Sequence, residues 1–355
     1  MAVSSWGVNN ALAVKLWSKK LAVEALKECY VGKFTGTGSN SLIQVKTEAS
    51  KSAGDKVTFG LRMQLTGAGI QGDNTLEGNE EALATYSDAV ILDQLRHAVR
   101  SGGKMSEQRV PFSVREEAYA GLKDWWMDRY DTWFFNQMGG KSGVTDTRLT
   151  GNNAAVVPTA TTNHLWASAD HTTDETLDSS GDNFTLAALN KAVVLAKTNS
   201  PMLRPVRVNG GEYYVCFLHP GQVYSLRTDT TSMEWADIQK AAMMGGDVKN
   251  NPLFTGALGV YNGVILHEST RVPKGQNSTT LVEVANTRRA ILCGAQAATM
   301  AFGQGGSENK FSWTEELFDY ENQLGVAAGT IAGLKKTIFN SKDFGSIVIS
   351  SYSLY

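Results

Sequence analysis

The stretch KDWWMDRYDTWFFNQM, residues 123–138, sets six aromatic rings into the eleven positions from Trp125 to Phe135. Three readings compete: a pocket for a flat cofactor, a stacking platform for nucleic acid, or a structural beam. A stacking platform needs interleaved basic residues. Here the charges are Lys123, Asp124, Asp128, Arg129 and Asp131, net acidic, and the beam is the better reading. Ser113 and Glu116 stand at capping-box spacing after Pro111 and Phe112, and Gly139-Gly140 makes a helix stop. The spacing predicts a helix over 113–137, about 25 residues and roughly 38 Å long. Leu122, Trp126, Tyr130, Trp133 and Phe134 fall on one side, whereas Trp125 and Phe135 fall elsewhere. A helix that is apolar over more than one face is covered on more than one face. Five buried rings remove roughly 1,000 Å² from water. That is on the order of 25 kcal/mol before entropy is subtracted.

The rest of the composition agrees with a well-packed protein. The 355 residues are 42% hydrophobic and 19% charged, enough for a real core and too apolar for disorder. A formal net charge of -2 excludes a general nucleic-acid binder, which carries a basic excess. Cys29, Cys216 and Cys293 are far apart among apolar or small neighbours, so buried free thiols are expected. At the start, Leu12, Leu16, Val23, Leu26 and Tyr30 share one helical face, and Lys15, Lys19 and Lys20 interrupt any signal-peptide core. The run NQLGVAAGTIAGL (322–334) is too short and glycine-rich to span a bilayer. The expectation is a soluble protein with no membrane partner.

Residues 32–41, GKFTGTGSNS, read as a flexible link. Then KVTFGLRMQL (56–65) alternates strictly, with Val57, Phe59, Leu61, Met63 and Leu65 on one face and Lys56, Thr58, Gly60, Arg62 and Gln64 on the other. The polar stretch 66–82 follows, and LATYSDAVIL (83–92) returns with Tyr86, Val90 and Leu92 on one side. The result is a long hairpin with a polar tip. A lone two-stranded hairpin is marginal in water, and no flanking helix covers it. A neighbouring subunit is the expected cover, with Val57, Phe59, Leu61, Arg62, Met63 and Leu65 as the contact residues.

Residues 141–184 read as loops and those from 185 as mixed α/β. Helices are expected over 185–198 and 231–246, and a buried strand over 212–220. Two strands flank an Asn262-Gly263 turn. Residues 288–304 pass from a strand into a small-residue helix or loop. Strands are expected within 311–320, 326–339 and 345–352. No motif carries chemistry. Gly67, Gly69 and Gly72 spell a dinucleotide-type fingerprint, but acids follow where a phosphate would sit. Lys104 in SGGKMS lacks the phosphate-loop partners. Asp73, Thr75, Glu77 and Gly78 mimic a calcium loop with Ala84 in place of the closing acid. His164, His171, Asp170 and Asp174 match no zinc spacing and read as solvated loop residues. His219 and His267 read as structural. No catalytic, cofactor or metal site is expected.

The order of elements resembles the major capsid proteins of tailed bacteriophages of the Hong Kong 97-type lineage. Four segments carry the likeness: EGNEEALATYSDAVILDQLRHAVR (77–100), QRVPFSVREEAYAGLKDW (108–125), GVYNGVILHESTRVP (259–273) and RRAILCGAQAATMAFG (288–303). The resemblance implies an α+β fold with an N-terminal arm (1–50) and an extended hairpin loop (51–95). It also implies a peripheral domain holding the spine helix (96–184), an axial domain (185–300), and return strands of the peripheral domain (301–355). It implies a shell of hexamers and pentamers around double-stranded DNA, the DNA contacted non-specifically, with portal, scaffolding and decoration proteins as partners. It places the protein in the virion after assembly in the bacterial cytoplasm. The family's isopeptide cross-link finds no matching residues here. A cellular encapsulin-like compartment and an unrelated α/β enzyme using residues 185–300 are the alternative readings.

Overall fold

The computed structural model describes residues 29–47, 54–62, 65–109, 113–160, 162–168, 170–228, 257–303 and 311–354. A 3-10 turn (Val31–Phe34) leads into β1 (Thr35–Gly36) and β2 (Ile43–Lys46). The hairpin is β3 (Lys56–Arg62) and β4 (Thr85–Ile91). Next come β5 (Asp93–Arg100), a short helix α1 (Lys104–Gln108), the long helix α2 (Val114–Met138) and β6 (His164–Trp166). The middle of the chain holds α3 (Leu186–Thr198), β7 (Val206–Val208), β8 (Gly211–Leu218) and α4 (Pro220–Thr228). Then follow β9 (Ala257–Tyr261), β10 (Val264–Glu268), β11 (Thr287–Cys293) and β12 (Ala298–Phe302). The chain ends with β13 (Ser312–Phe318), β14 (Gln323–Lys336), β15 (Ile338–Phe339), β16 (Lys342–Asp343) and β17 (Ser346–Tyr352).

Two sheets organise these strands. The first runs β1-β2-β12-β14-β13, with β5 also paired to β14. The second runs β6-β17-β11-β8-β10-β9, with β7 also on β8. The second sheet is buried on both faces, which explains the unbroken apolar run at 214–218. One face, with Cys216, Leu218, Leu266, Ile347 and Ile349, packs under Leu189 and Val193 of α3. The other face, with Val215, Phe217, Ile265 and Ile291, joins the core built on α2.

Helix α2 is therefore the beam. Its rings meet the first sheet through Trp126 and Phe311, 5.0 Å between centroids. They meet the second through Phe134 and Phe135, 5.5 and 5.7 Å from Phe217. The bounds match the sequence expectation to one residue, but the start differs in detail. Ser113 is the N-cap residue, yet its hydroxyl makes no capping bond. Its carbonyl accepts the first helical hydrogen bond, from Glu117 N.

Other expectations hold or shift for physical reasons. Asn262 and Gly263 both take left-handed φ (47° and 74°), the turn that matches strand twist between β9 and β10. Thr185 caps α3 through Ala188 N. Residues 298–302 form a strand, not a helix or loop. They pair with β2 on one side and β14 on the other, and all five are buried. The link 32–41 contains β1, so Thr35–Gly36 join Ile43–Lys46 in the first sheet. Strand β17 crosses to the second sheet, between β11 and β6, so residues 301–355 do not all return to the first. The expected helices near 12–26 and over 231–246 lie outside the described residues.

Candidate assembly surfaces

The hairpin register is antiparallel, with Val57 opposite Val90, Phe59 opposite Asp88 and Leu61 opposite Tyr86. At its base, Val57, Val90 and Leu92 bury against Ala301, with Phe59 and Ile331 packed alongside. Phe59 also meets Phe339 edge-on at 5.9 Å. This corrects the expectation that a neighbouring subunit covers the whole face. The cover for Val57 and part of Phe59 comes from β12, β14 and β15 of the same chain, hundreds of residues later and invisible in the flanking sequence. Leu61 is half-buried, and Arg62 and Leu65 are exposed. Met63 lies outside the described residues.

Polar contacts fix the base as firmly as the apolar ones. Asn153 Oδ1 accepts from Ile91 N at 3.0 Å, and its amide group donates to Ile91 O and Leu334 O at 3.2 Å each. Asp88 pairs with Lys335 and accepts from Ile338 N at 3.0 Å. A Cβ on Gly333 would lie 2.1 Å from Ile91 O, so only glycine lets β14 approach this closely. Beyond the base the character changes. Every residue from Leu65 to Thr85 is exposed, including Leu65 (54%), Leu76 (60%) and Leu83 (58%). The glycines of the fingerprint-like motif sit here, Gly69 and Gly72 at φ 71° and 65°. Glu81 shapes the tip by accepting from Thr66 N and Gly67 N, bonds that hold its carboxyl below the usual range.

Leu122, Trp126, Tyr130, Trp133 and Phe134 of the beam are all fully buried or nearly so. Trp133 Nε1 donates to Arg148 O at 2.7 Å, satisfying its one polar atom. Asp131, one charge among five in the aromatic stretch, anchors residues 29–31. It accepts from Cys29 Sγ (2.8 Å), Val31 N (3.0 Å) and Tyr30 N (3.3 Å). Burial and the neighbouring carboxylate push the Cys29 thiol up, so it is an inert donor. Cys216 and Cys293 are likewise free and buried.

His164 and Asp174 are buried braces rather than solvated loop residues. His164 is buried, with Nε2 2.8 Å from Ser350 Oγ and 3.6 Å from Asp174. Arg289 donates through Nε to Asp174 at 2.7 Å and through Nη1 to Gly139 O and Gly140 O at 2.8 and 3.2 Å. The guanidinium thus satisfies carbonyls at the C-terminal end of α2, where the helix dipole favours a cation. Burial drives His164 down to about 4. Desolvation works to raise Asp174, but Arg289 and His164 outweigh it and hold it below the usual range. His171 pairs with Asp182 at 3.1 Å; Asp170 is exposed. Among the described residues no His, Cys, Asp and Glu cluster could hold a metal, and no helix is long and apolar enough to cross a membrane.

Two sheets bound to one beam, with a clamped and protruding hairpin, define an α+β assembly protein of the Hong Kong 97-type capsid fold. The phage capsid protein model matches residues 5–355, and the chain belongs to that family. It is 29% identical to the major capsid protein of Pseudomonas phage KPP25, over 94% of this chain and 93% of that one. It is also similar to the solved capsid of Ralstonia phage GP4, at 34% identity, 99% and 98% coverage and a TM-score of 0.78. The cyanophage Pam1 capsid shares the fold at 22% identity, with 91% and 92% coverage and a TM-score of 0.71. The chain is a bacteriophage major capsid protein that associates with its own copies in the virion shell.

Proposed function

We propose that the chain builds its shell from hexamers and pentamers, using the distal hairpin as an arm laid over the adjacent subunit. The observation that carries this is the run Leu65–Thr85, wholly exposed yet studded with leucines and held on a clamped base. Such apolar exposure marks an interaction surface. Leu61, Arg62, Met63 and Leu65 are the contact residues of this reading, with Phe59 at its edge. Val57 belongs to the subunit's own core.

In the same reading α2 and the first sheet form the peripheral domain, and the second sheet with α3 the axial domain. The protein acts by construction and carries no catalysis. Assembly takes place in the host cytoplasm around a double-stranded DNA genome touched only non-specifically, consistent with a net charge of -2. Portal, scaffolding and decoration proteins are the further partners. Electron microscopy and light scattering of the purified chain test this. Uniform closed particles are expected, and a monomer that persists under all solution conditions overturns it.

A further inference from the structure

We propose that β5 pairs edge to edge with the β5 of a second copy, in an antiparallel two-fold join between neighbouring rings of the shell. This rests on the shell being built from rings. A ring closes through heterologous contacts, whereas joining one ring to the next calls for a separate, isologous one.

β5 is an edge strand, at eight residues the longest among the described residues, and it pairs only with β14. Ser101 N donates to Leu324 O, which fixes the alternation. Residues 93, 95, 97, 99 and 101 turn their N–H and C=O groups toward β14, and Gln94, Arg96, Ala98 and Arg100 turn theirs outward. Among the described residues, the one outward N–H with a partner is that of Gln94, which donates to Asp93 Oδ1 at 2.7 Å.

Open edges are normally blunted by a proline, a bulge or a charge held over the edge. β5 has no proline, its register with β14 runs without a shift, and its arginines turn away from the edge. Arg96 lies across Gly329 of β14, where a Cβ would come within 2.7 Å of its Cγ. The Arg100 guanidinium sits 4.3 Å from the centre of the ring of Phe318, which belongs to β13, across β14.

The open edge is self-complementary. A two-fold through His97 sets Arg96 of one copy opposite Ala98 of the other, and Gln94 opposite Arg100, adding about eight hydrogen bonds. On the other face it sets Leu95 opposite Val99, both half-buried against the core built on α2. The exposed His97 stays stacked on Trp125 of its own chain, 4.5 Å between centroids. Centring the pair on Arg96 or on Ala98 instead puts arginine opposite arginine, which is destabilising. One register is therefore favoured.

The test uses full-length protein assembled into particles and oxidised. His97→Cys places two sulfurs across a non-hydrogen-bonded pair, about 4.5 Å between Cα atoms, within disulfide reach. The three natural cysteines are buried. Disulfide-linked dimers are expected. Ala98→Cys, exposed on the same strand, is the control, because its two copies lie diagonally, about 7–8 Å apart, and stay unlinked. The proposal is overturned if His97→Cys particles yield no dimer, which leaves the edge to a strand of another protein, or if Ala98→Cys particles link as readily. Ala98→Pro gives a second measurement. It removes an outward N–H and no bond to β14, so subunit melting is expected to stay close to that of the unsubstituted chain while particle yield falls about tenfold or more. Normal yield overturns the proposal; should the proline variant not fold, the cysteine variants decide. Failure of the unsubstituted chain to form particles at all would instead sink the shell reading.

Discussion

Arg289 holds three parts of the molecule at once: the end of the beam, the 174 loop and β11. Its side chain and that of Asp174 are almost wholly buried. Removing one partner of such a pair strands the other charge, so Arg289→Met is expected to cost about 3–5 kcal/mol in urea unfolding of the subunit. Trp133→Ala, which empties the beam core and removes the shorter of two hydrogen bonds to Arg148 O, is expected to cost a similar amount, about 3–5 kcal/mol. His164 adds a pH dependence. Its folded-state pKa, about 4, lies below the ordinary histidine value of 6.5, so the unfolded chain takes up the proton first. Stability from this group is whole above pH 6.5 and is lost as pH falls toward 4, on the order of 3 kcal/mol in all. Asp174, held low by its neighbours, moves stability in the same direction at more acid pH. Denaturation midpoints of wild type and His164→Asn at pH 7.5, 5.5 and 4.5 check this; the variant's dependence should be flatter. The sequence grouped His164 with Asp174 but not with Arg289 or Ser350, and so the pair read as solvated. Residues 289 and 350 are far along the chain from 164 and 174, and only the fold makes them neighbours.

At the scale of elements, the long helix was readable because six rings at helical spacing leave no other way to bury them. Its start was less so. A Ser-x-x-Glu pattern records a capping option, and the Ser113 hydroxyl here does not take it. Strand β12 was misread because Ala298–Phe302 is buried on both faces. A strand covered on both sides shows no alternation. The hairpin alternated without a fault and was found, but its cover was misplaced, because β12 and β14 arrive late in the chain. The two halves of its apolar face now separate by experiment. Val57→Asp should destabilise the subunit itself by about 3 kcal/mol or more, an unpaired charge in the base cluster. Leu61→Asp should leave subunit unfolding within about 1 kcal/mol of wild type, yet impair assembly. Urea melts of the subunit and particle counts by electron microscopy read the two effects separately.

For the whole molecule, the fold class followed from the order of elements, while the partition into sheets did not. Strand β17 closes the second sheet from the far end of the chain, and a hydrophobic run such as SIVISSY does not encode which sheet it joins. The same distinction between body and arm gives a further test. Replacing residues 66–82 by a short glycine-serine turn should leave the subunit folded, since the base is clamped by Asn153, Lys335 and the Val57 cluster, and should abolish shells. Size-exclusion chromatography with circular dichroism checks the first expectation and electron microscopy the second. One feature of that clamp bears on mechanics. After Ile91 the arm runs through Leu92 straight into β5, which lies antiparallel along β14 in a ladder from Asp93 to Arg100. Tension applied along the arm therefore arrives as shear. Under shear the ladder's hydrogen bonds share the load together instead of unzipping in turn, so the arm tears loose only at a force that breaks many of them at once.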